Sequence, residues 1–439
     1  MCGIQITFNK MQSGIAHRGV NQFSGNINEW NYHFASLPIS SGKTTLTQPL
    51  DINSHSKLLF NGEIFNYKQF GNYLSDLHYL KDLFLVGIKN NKRFQKEYKK
   101  WDGFWSICII DSEGVSFFTD PLGKKQLYYS TEGICSEIKP IDKDNILMNS
   151  PKFKTSNTCF QGVHRAMPGK FYYFHQDAKS PWSTLEHAKH YLWESIHKSN
   201  TSSDMSLIRT LIDKSVKTRS VINYGKLGLL FSGGLDSSII AYHLIKNNIP
   251  FTAITIDNDE KDNAERISKY LGFDPIYISD ELTSEEIDTA IKAYEHSLDY
   301  GSMLLQYKLF KKCKDLGLTT VLTGDGADEL FSGYTRAQKE DTQEFDVMVE
   351  LPYFHHIRID RMSMINTIEC RNPFLNTELV KYALSIPYEL RKNKAILREA
   401  YRNEIPFVDV EKKPLRLKGD KEYNIKMINN KFKQLWKTN

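Results

Sequence analysis

The chain has 439 residues and a mass of 50.9 kDa, which is too long for one ordinary core and suits two domains. Its 40% hydrophobic and 25% charged content is that of a soluble globular protein. The net charge of +5 is spread along the chain, which speaks for a solvated surface and against a nucleic-acid footprint, although residues 412–418 are locally basic.

Six cysteines stand at positions 2, 108, 135, 159, 313 and 370, with no Cys-x-x-Cys pair, so no zinc site is expected. Cys108 sits in an apolar run and reads as a buried thiol. Thiols used in this way fit a reducing, intracellular compartment. No apolar stretch approaches the roughly 20 residues that span a bilayer. Met1-Cys2-Gly3-Ile4 is not the start of a signal peptide, and the expected location is cytoplasmic.

In chain order, the first part is rich in short β-branched or aromatic runs bounded by Gly, Asn, Asp or Pro. Strands are predicted at 58–60, 105–110, 115–119, 127–129 and 170–174. Asp120-Pro121-Leu122-Gly123 is a turn between two of them. Only residues 84–88 read as helical there. A polar segment from 176 to 203 marks the domain boundary, giving domains over 1–190 and 200–439.

The second part changes rhythm. Residues 204–220 carry a helical apolar stripe with Asp204 as N-cap. Strands follow at 226–231, 251–256, 275–278 and 319–322, with helices at 235–246, 263–271 and 284–294. That alternation predicts a parallel, doubly wound sheet, whose ligands sit at the carboxyl ends of strands.

Two loops stand at such ends. Ser232-Gly233-Gly234-Leu235-Asp236-Ser237-Ser238 joins a strand to a helix. Its glycines let backbone N–H groups gather as an anion nest, and the helix points its positive end at the same spot. The serines add hydroxyl donors, and Asp236 can hold Mg²⁺ through oxygen. The loop lacks the Gly-Lys-Ser/Thr ending of a Walker loop. The alternative, a Gly-rich turn that merely connects elements, leaves the full string unexplained. The second loop, Thr323-Gly324-Asp325-Gly326-Ala327-Asp328-Glu329, brings three carboxylates together, suited to a metal or a charged amine. Its bland reading is a solvated acidic turn capping a helix at Asp328.

The first string resembles the pyrophosphate loop of the ATP pyrophosphatases. Residues 228–238, 323–334 and 362–375 together resemble the synthetase domain of the asparagine synthetases. The last of these carries Glu369-Cys370-Arg371-Asn372-Pro373-Phe374-Leu375, similar to the family's Glu-x-Arg-x-Pro-Phe-Leu motif. The family ends it in Asp where Asn376 stands here. Lys394-Ala395-Ile396-Leu397-Arg398 and Lys413 match the family's C-terminal pattern. At the other end, Cys2, Gly3-Ile4, His17-Arg18-Gly19, Gln48-Pro49-Leu50 and Asn61-Gly62-Glu63-Ile64-Phe65-Asn66 resemble class II glutamine amidotransferase domains. Met-Cys alone is a weak signal, and Asn61-Gly62 by itself reads as a hairpin turn.

The resemblance implies an α+β N-terminal nucleophile domain, an αββα sandwich, followed by the α/β parallel-sheet ATP-pyrophosphatase domain with a helical C-terminal part. It implies Cys2 as nucleophile with its own α-amine as base. Asn61 and the Gly62 N–H would form the oxyanion hole. Glu63 and Asp82 would bind the glutamine amine, with Asp82 favoured over Asp76 by its spacing from Gly103. The family's carboxylate-clamping Arg is replaced by Ser36, and Val20-Asn21 replaces Pro-Asp after His17-Arg18-Gly19. In the second half, Ser232, Gly233, Gly234, Ser237 and Ser238 would hold phosphates, and Asp236 and Asp328 the metal. Leu230, Thr255, Thr323 and Gly324 would face adenosine. Asp325, Glu369 and Lys413 would position substrate, move protons and steady the departing phosphates.

The expected reaction is ATP-dependent amidation of a carboxylate through an acyl-adenylate, with ATP and Mg²⁺ as cofactors. Aspartate is the default acid, and glutamine or ammonia the nitrogen source. Rival readings are a lactam- or amide-forming synthetase with another acid, and a non-catalytic relic. Small molecules are the expected partners, without membrane or nucleic acid, and a homodimer is compatible with the sequence.

Overall fold

The computed structural model describes residues 2–8, 14–39, 46–88, 91–141, 155–175, 183–185, 203–257, 261–297, 300–334, 350–405 and 425–436. The chain divides into two compact units. One comprises Met1–Tyr191 with Ile291–Leu298 and Phe432–Asn439; the other comprises Leu192–Ala290 and Asp299–Lys431. The boundary expected over 176–203 lies outside the described residues, apart from 183–185 and 203. Among the described residues no helix is long and apolar enough to cross a membrane.

The first unit holds two six-stranded antiparallel sheets. One contains β1 (Gly3–Thr7), β2 (Asn21–Ile27), β3 (Trp30–Ser36), β8 (Tyr128–Ser130), β9 (Gly133–Cys135) and β10 (His164–Arg165). The other contains β4 (Leu50–Asn53), β5 (Ser56–Ile64), β6 (Gly103–Ile110), β7 (Gly114–Thr119), β11 (Phe171–His175) and β12 (Ser183–Leu185). Ile4, Trp30 and Phe34 of the first sheet meet Leu59, Cys108 and Phe117 of the second in a common core. The other face of the second sheet is covered as well: Phe118 and Trp105 pack against Phe94, Tyr98 and Trp101. β6 is therefore buried along its whole length, and its sequence reads as a continuous apolar run instead of an alternation.

Two helices lie in this unit between β5 and β6. α1 (Asp76–Phe84) is capped by Ser75, whose hydroxyl accepts from the His78 N–H at 3.4 Å. α2 (Lys92–Glu97) is capped by Asn91, which accepts from the Phe94 N–H at 2.9 Å. The helix expected at 84–88 is thus displaced. Phe84 is the last helical residue, and Leu85 and Val86 are 51% and 76% exposed, so their apolar letters do not mark a packed face.

In the second unit α3 (Met205–Arg219) starts from the Asp204 cap, whose carboxylate accepts from the Ser206 and Leu207 N–H groups. A five-stranded sheet follows in the order β15 (Ile276–Ile278), β14 (Thr252–Ile256), β13 (Lys226–Leu230), β16 (Leu318–Leu322), β17 (Glu369–Arg371). All its pairs are parallel. Helices α4 (Leu235–Lys246), α5 (Lys261–Leu271), α6 (Ser284–Tyr294) and α7 (Tyr300–Asp315) connect the strands. The expected elements stand within about two residues of their places. The fifth strand and α7 were not foreseen. The strand order turns around between β13 and β16, so the loops after these two strands open at a topological switch point, where such sheets take ligands.

Candidate active site

In the first unit β1 pairs with β3 from Gly3↔Ala35 onward, so Cys2 lies just before the paired strand and Ser36 is the last residue of β3. Cys2 is buried, and its N–H donates to Asn61 Oδ1 at 2.9 Å. That bond turns the Asn61 amide nitrogen the other way, where it lies 3.4 Å from Ser106 Oγ. Arg18 Nε donates to the Cys2 carbonyl at 3.1 Å while its Nη1 meets Glu137 at 2.8 Å. The Cys2 backbone is thus held from both sides by buried groups.

The hairpin reading of Asn61-Gly62 fails. Both residues lie inside β5, opposite Ser106 and Trp105 of β6. Glycine is needed here for close approach instead of turning, because a Cβ at position 62 would fall 2.0 Å from the Phe104 carbonyl oxygen.

The geometry separates the two candidate aspartates. Asp76 is buried at the start of α1, and its carboxylate accepts from the Ile64 N–H at 3.1 Å, next to Glu63. Burial, and then the Asp76 and Glu63 carboxylates, raise the Tyr67 phenol, as expected of acidic groups gathered beside one ring. Asp82 is on the exposed flank of α1, bonded to Tyr73 at 2.5 Å and to Arg93 at 2.7 Å. The structure therefore joins Asp76 to the Asn61–Glu63 strand and leaves Asp82 in a surface network. Spacing from Gly103 pointed to Asp82, but the Ser75 cap fixes which carboxylate faces the sheet.

In the second unit the two strand-end loops touch. A Cβ on Gly324 would lie 2.8 Å from Asp236 Cβ. The Ser237 and Ser238 hydroxyls both donate to the Gly234 carbonyl, at 3.1 and 2.8 Å, and Gly234 N–H donates to Ser232 Oγ. These serines fasten the loop to the first turn of α4 instead of standing out as donors. Gly233 has φ of +71° at the turn itself. Leu230 pairs with Ile254 across the sheet from β13 to β14, one residue before Thr255.

Thr323 N–H donates to the Arg371 carbonyl at 3.1 Å, and its hydroxyl accepts from Asn372 Nδ2 at 2.9 Å. Asp325 is half-buried and has no hydrogen bond or ion pair among the described residues. Asp328 is 7% exposed, so the solvated acidic turn is not what this loop is. Glu369 is buried against Arg371 Nε at 2.5 Å. Burial works to raise the Glu369 carboxyl, the Arg371 guanidinium is the largest influence working to lower it, and the net result lies below its ordinary range. Asn376 caps the helix Thr377–Ser385, accepting from the Leu379 N–H at 2.9 Å. Lys413 lies outside the described residues.

One participant was quoted in the sequence without a role. Lys394 Nζ reaches Asp236 Oδ1 and Oδ2 at 2.7 and 2.6 Å, and Asp328 Oδ1 at 2.7 Å. Burial works to lower this ammonium's pKa, and the two carboxylates hold it above the usual lysine value. Oxygens of Asp236 and Asp328 therefore converge on one cationic position. Such hard oxygen donors suit Mg²⁺. Among the described residues no group of three His, Cys, Asp or Glu side chains is placed to hold a metal ion.

A family model for the glutamine amidotransferase domain matches residues 3–185, and one for asparagine synthase matches 207–353 and 342–413. The chain belongs to the asparagine synthase family. Mouse asparagine synthetase (glutamine-hydrolysing) is 24% identical, over 89% of this chain and 77% of its own length. The chicken protein of that name is 27% identical, over 92% and 81%. Among solved structures, the allosteric regulatory enzyme of purine biosynthesis aligns at a TM-score of 0.32 and 12% identity, covering 64% of this chain and 80% of that one. That score is too low to bear on the site. The architecture of this family member is an N-terminal nucleophile domain followed by a parallel-sheet domain of the ATP-pyrophosphatase kind.

Proposed function

We propose that this asparagine synthase family member forms an amide from a carboxylic acid, with aspartate as the first acid to test. ATP activates the acid, and the nitrogen comes from glutamine or from free ammonia. The observation that carries the reading is the convergence of Asp236 and Asp328 at the switch point, on two Gly-rich loops that face each other.

In the proposed reaction a carboxylate oxygen of the acid attacks the α-phosphorus of ATP. The bond to the pyrophosphate oxygen breaks, leaving an acyl-adenylate. Ammonia then attacks the acyl carbon and AMP departs. The Gly233 N–H and the first N–H groups of α4 would cradle the phosphates. Asp236 and Asp328 would hold Mg²⁺, which supplies charge neutralisation at the leaving pyrophosphate. Leu230, Thr255, Thr323 and Gly324 line the adenosine side. Asp325, with no internal partner, is available to the substrate's charged groups, and Glu369 and Lys413 are further candidates for positioning and proton transfer.

Cys2 supplies the ammonia. With Met1 removed, its nitrogen becomes the α-amine that takes the thiol proton. The Gly62 N–H would stabilise the oxyanion, joined by Asn61 Nδ2 once it leaves Ser106, while Glu63 and Asp76 face the glutamine amine. The test is ATP–pyrophosphate exchange across a panel of small carboxylic acids. Exchange dependent on aspartate supports the reading. Exchange with another acid replaces the substrate, and none with any acid rejects adenylation.

A further inference from the structure

We propose that Lys394 is a resident counter-ion that must leave the Asp236–Asp328 pair before a divalent metal can enter, so that metal and nucleotide bind together and neither carboxylate is ever left unpaired. The proposal rests on the reading of these two aspartates as the metal ligands.

The two carboxylates come from loops after different strands, and three of their oxygens lie 2.6–2.7 Å from one nitrogen. Lys394 and Asp328 are 5% and 9% exposed at the side chain. One carboxylate is buried and the other, Asp236, is 17% exposed at the side chain, and a cation between them offsets their repulsion. The ammonium supplies that cation, with charge-assisted bonds. A magnesium ion would sit about 2.0–2.1 Å from the same oxygens. It would occupy the ammonium's own volume, so the two cations exclude each other.

The lysine is built into this place. Asn393 and Lys394 have φ of +52° and +58°, a region that L-residues hold only when their surroundings fix it. Here the fixing is explicit: Asn393 N–H donates to the Ser332 carbonyl at 3.0 Å, and Lys394 N–H to Phe331 at 2.8 Å. The backbone of Gly333 walls one side. A Cβ there would lie 2.1 Å from Asp328 Oδ1 and 2.3 Å from Lys394 Cε. What can move is the end of the side chain, which has four rotatable bonds. ATP brings phosphate oxygens to the adjacent loop. The ammonium can then exchange carboxylate oxygens for phosphate oxygens as the metal takes its place. Metal alone offers it no such exchange.

Mn²⁺ binding followed by electron paramagnetic resonance, without nucleotide, tests this directly. Wild type should bind weakly, Lys394→Gln at least tenfold more tightly, and Lys394→Arg as weakly as wild type. The gain should vanish in the double variant Lys394→Gln, Asp328→Asn. Lys394→Gln binding no tighter than wild type overturns the proposal. Should that variant not fold, wild-type crystals decide. Soaked with Mn²⁺ alone they should show no anomalous peak between Asp236 and Asp328, and a peak there overturns the proposal. Soaked with Mn²⁺ and a non-hydrolysable ATP analogue they should show one. If that last peak is missing, the metal assignment itself is wrong. If it is present while Lys394→Gln gains nothing, only the exchange idea fails.

Discussion

Acid should loosen the second unit through one side chain, His243. It lies on α4, two turns beyond Asp236, and is fully buried. Its Nδ1 is 2.9 Å from Asp213 Oδ1 on α3, and its Nε2 is 2.7 Å from the Tyr401 hydroxyl. Tyr401 closes the helix that begins immediately after Lys394. The chain Asp213–His243–Tyr401 therefore ties the nucleotide-loop helix to the segment that carries Lys394. Burial lowers the His243 pKa to about 4, against the opposing pull of Asp213. The unfolded value is about 6.5. The folded imidazole is thus harder to protonate than the unfolded one. Its contribution is fully present above pH 6.5 and falls away as the pH drops towards 4. At about 1.36 kcal/mol per unit, the difference is worth about 3 kcal/mol across that window. Urea unfolding followed by far-ultraviolet circular dichroism, from pH 7.5 to 4, should show wild type losing that much more stability than His243→Gln. Parallel curves for the two proteins would refute the reasoning.

Other expectations concern the first unit. Cys2→Ala should abolish glutamine-dependent amide formation and leave the ammonia-dependent reaction within about twofold of wild type, since only the former needs a thiolate; loss of both is the contrary result. Asp76→Asn should raise the KM for glutamine about 10- to 100-fold, the effect of removing one charged hydrogen bond, whereas Asp82→Asn should leave it unchanged. The reverse pattern in steady-state kinetics would restore Asp82 as the amine ligand. Ser36→Arg should lower that KM about 10- to 100-fold by adding a bidentate clamp on the glutamine carboxylate. An unchanged KM in the low micromolar range would place the clamp elsewhere.

The second unit was far more legible in the sequence than the first, for a physical reason. Its parallel strands are covered by helices, so they appear as short apolar runs between helical stripes, and the Gly-rich strings mark their ends. β2 has the opposite character. Gln22, Ser24 and Asn26 alternate along a largely exposed edge strand, which offers no apolar period to detect. β17 hides differently. Glu369 and Arg371 are poor strand formers, yet both are buried because they neutralise each other. The motif was visible, while its place in the sheet was not. Lys394 stood out in the sequence only as part of a motif, and its place between two aspartates did not. A lysine ahead of an apolar helix reads as a solvated charge, and its partner Asp236 stands 158 residues away. Only the meeting of two loops at the switch point turns it into a buried counter-ion.

The departures from the family pattern are unequal, and the difference lies in what each position does. At Asn376 the side chain accepts from the Leu379 N–H as the N-cap of a helix, and Asn serves there as well as Asp. Ser36 is another matter. It ends β3, the strand paired with β1 immediately after Cys2, and a hydroxyl cannot replace a guanidinium in holding a carboxylate. The ATP-side loops keep their glycines, serines and paired aspartates, together with a lysine that neutralises them. On the proposed reading, the departure with chemical weight is Ser36, in recognition of the nitrogen donor. Such a chain should adenylate its acid with the family's full machinery and draw more of its ammonia from solution. The ratio of glutamine- to ammonia-dependent turnover is the quantity on which that argument stands.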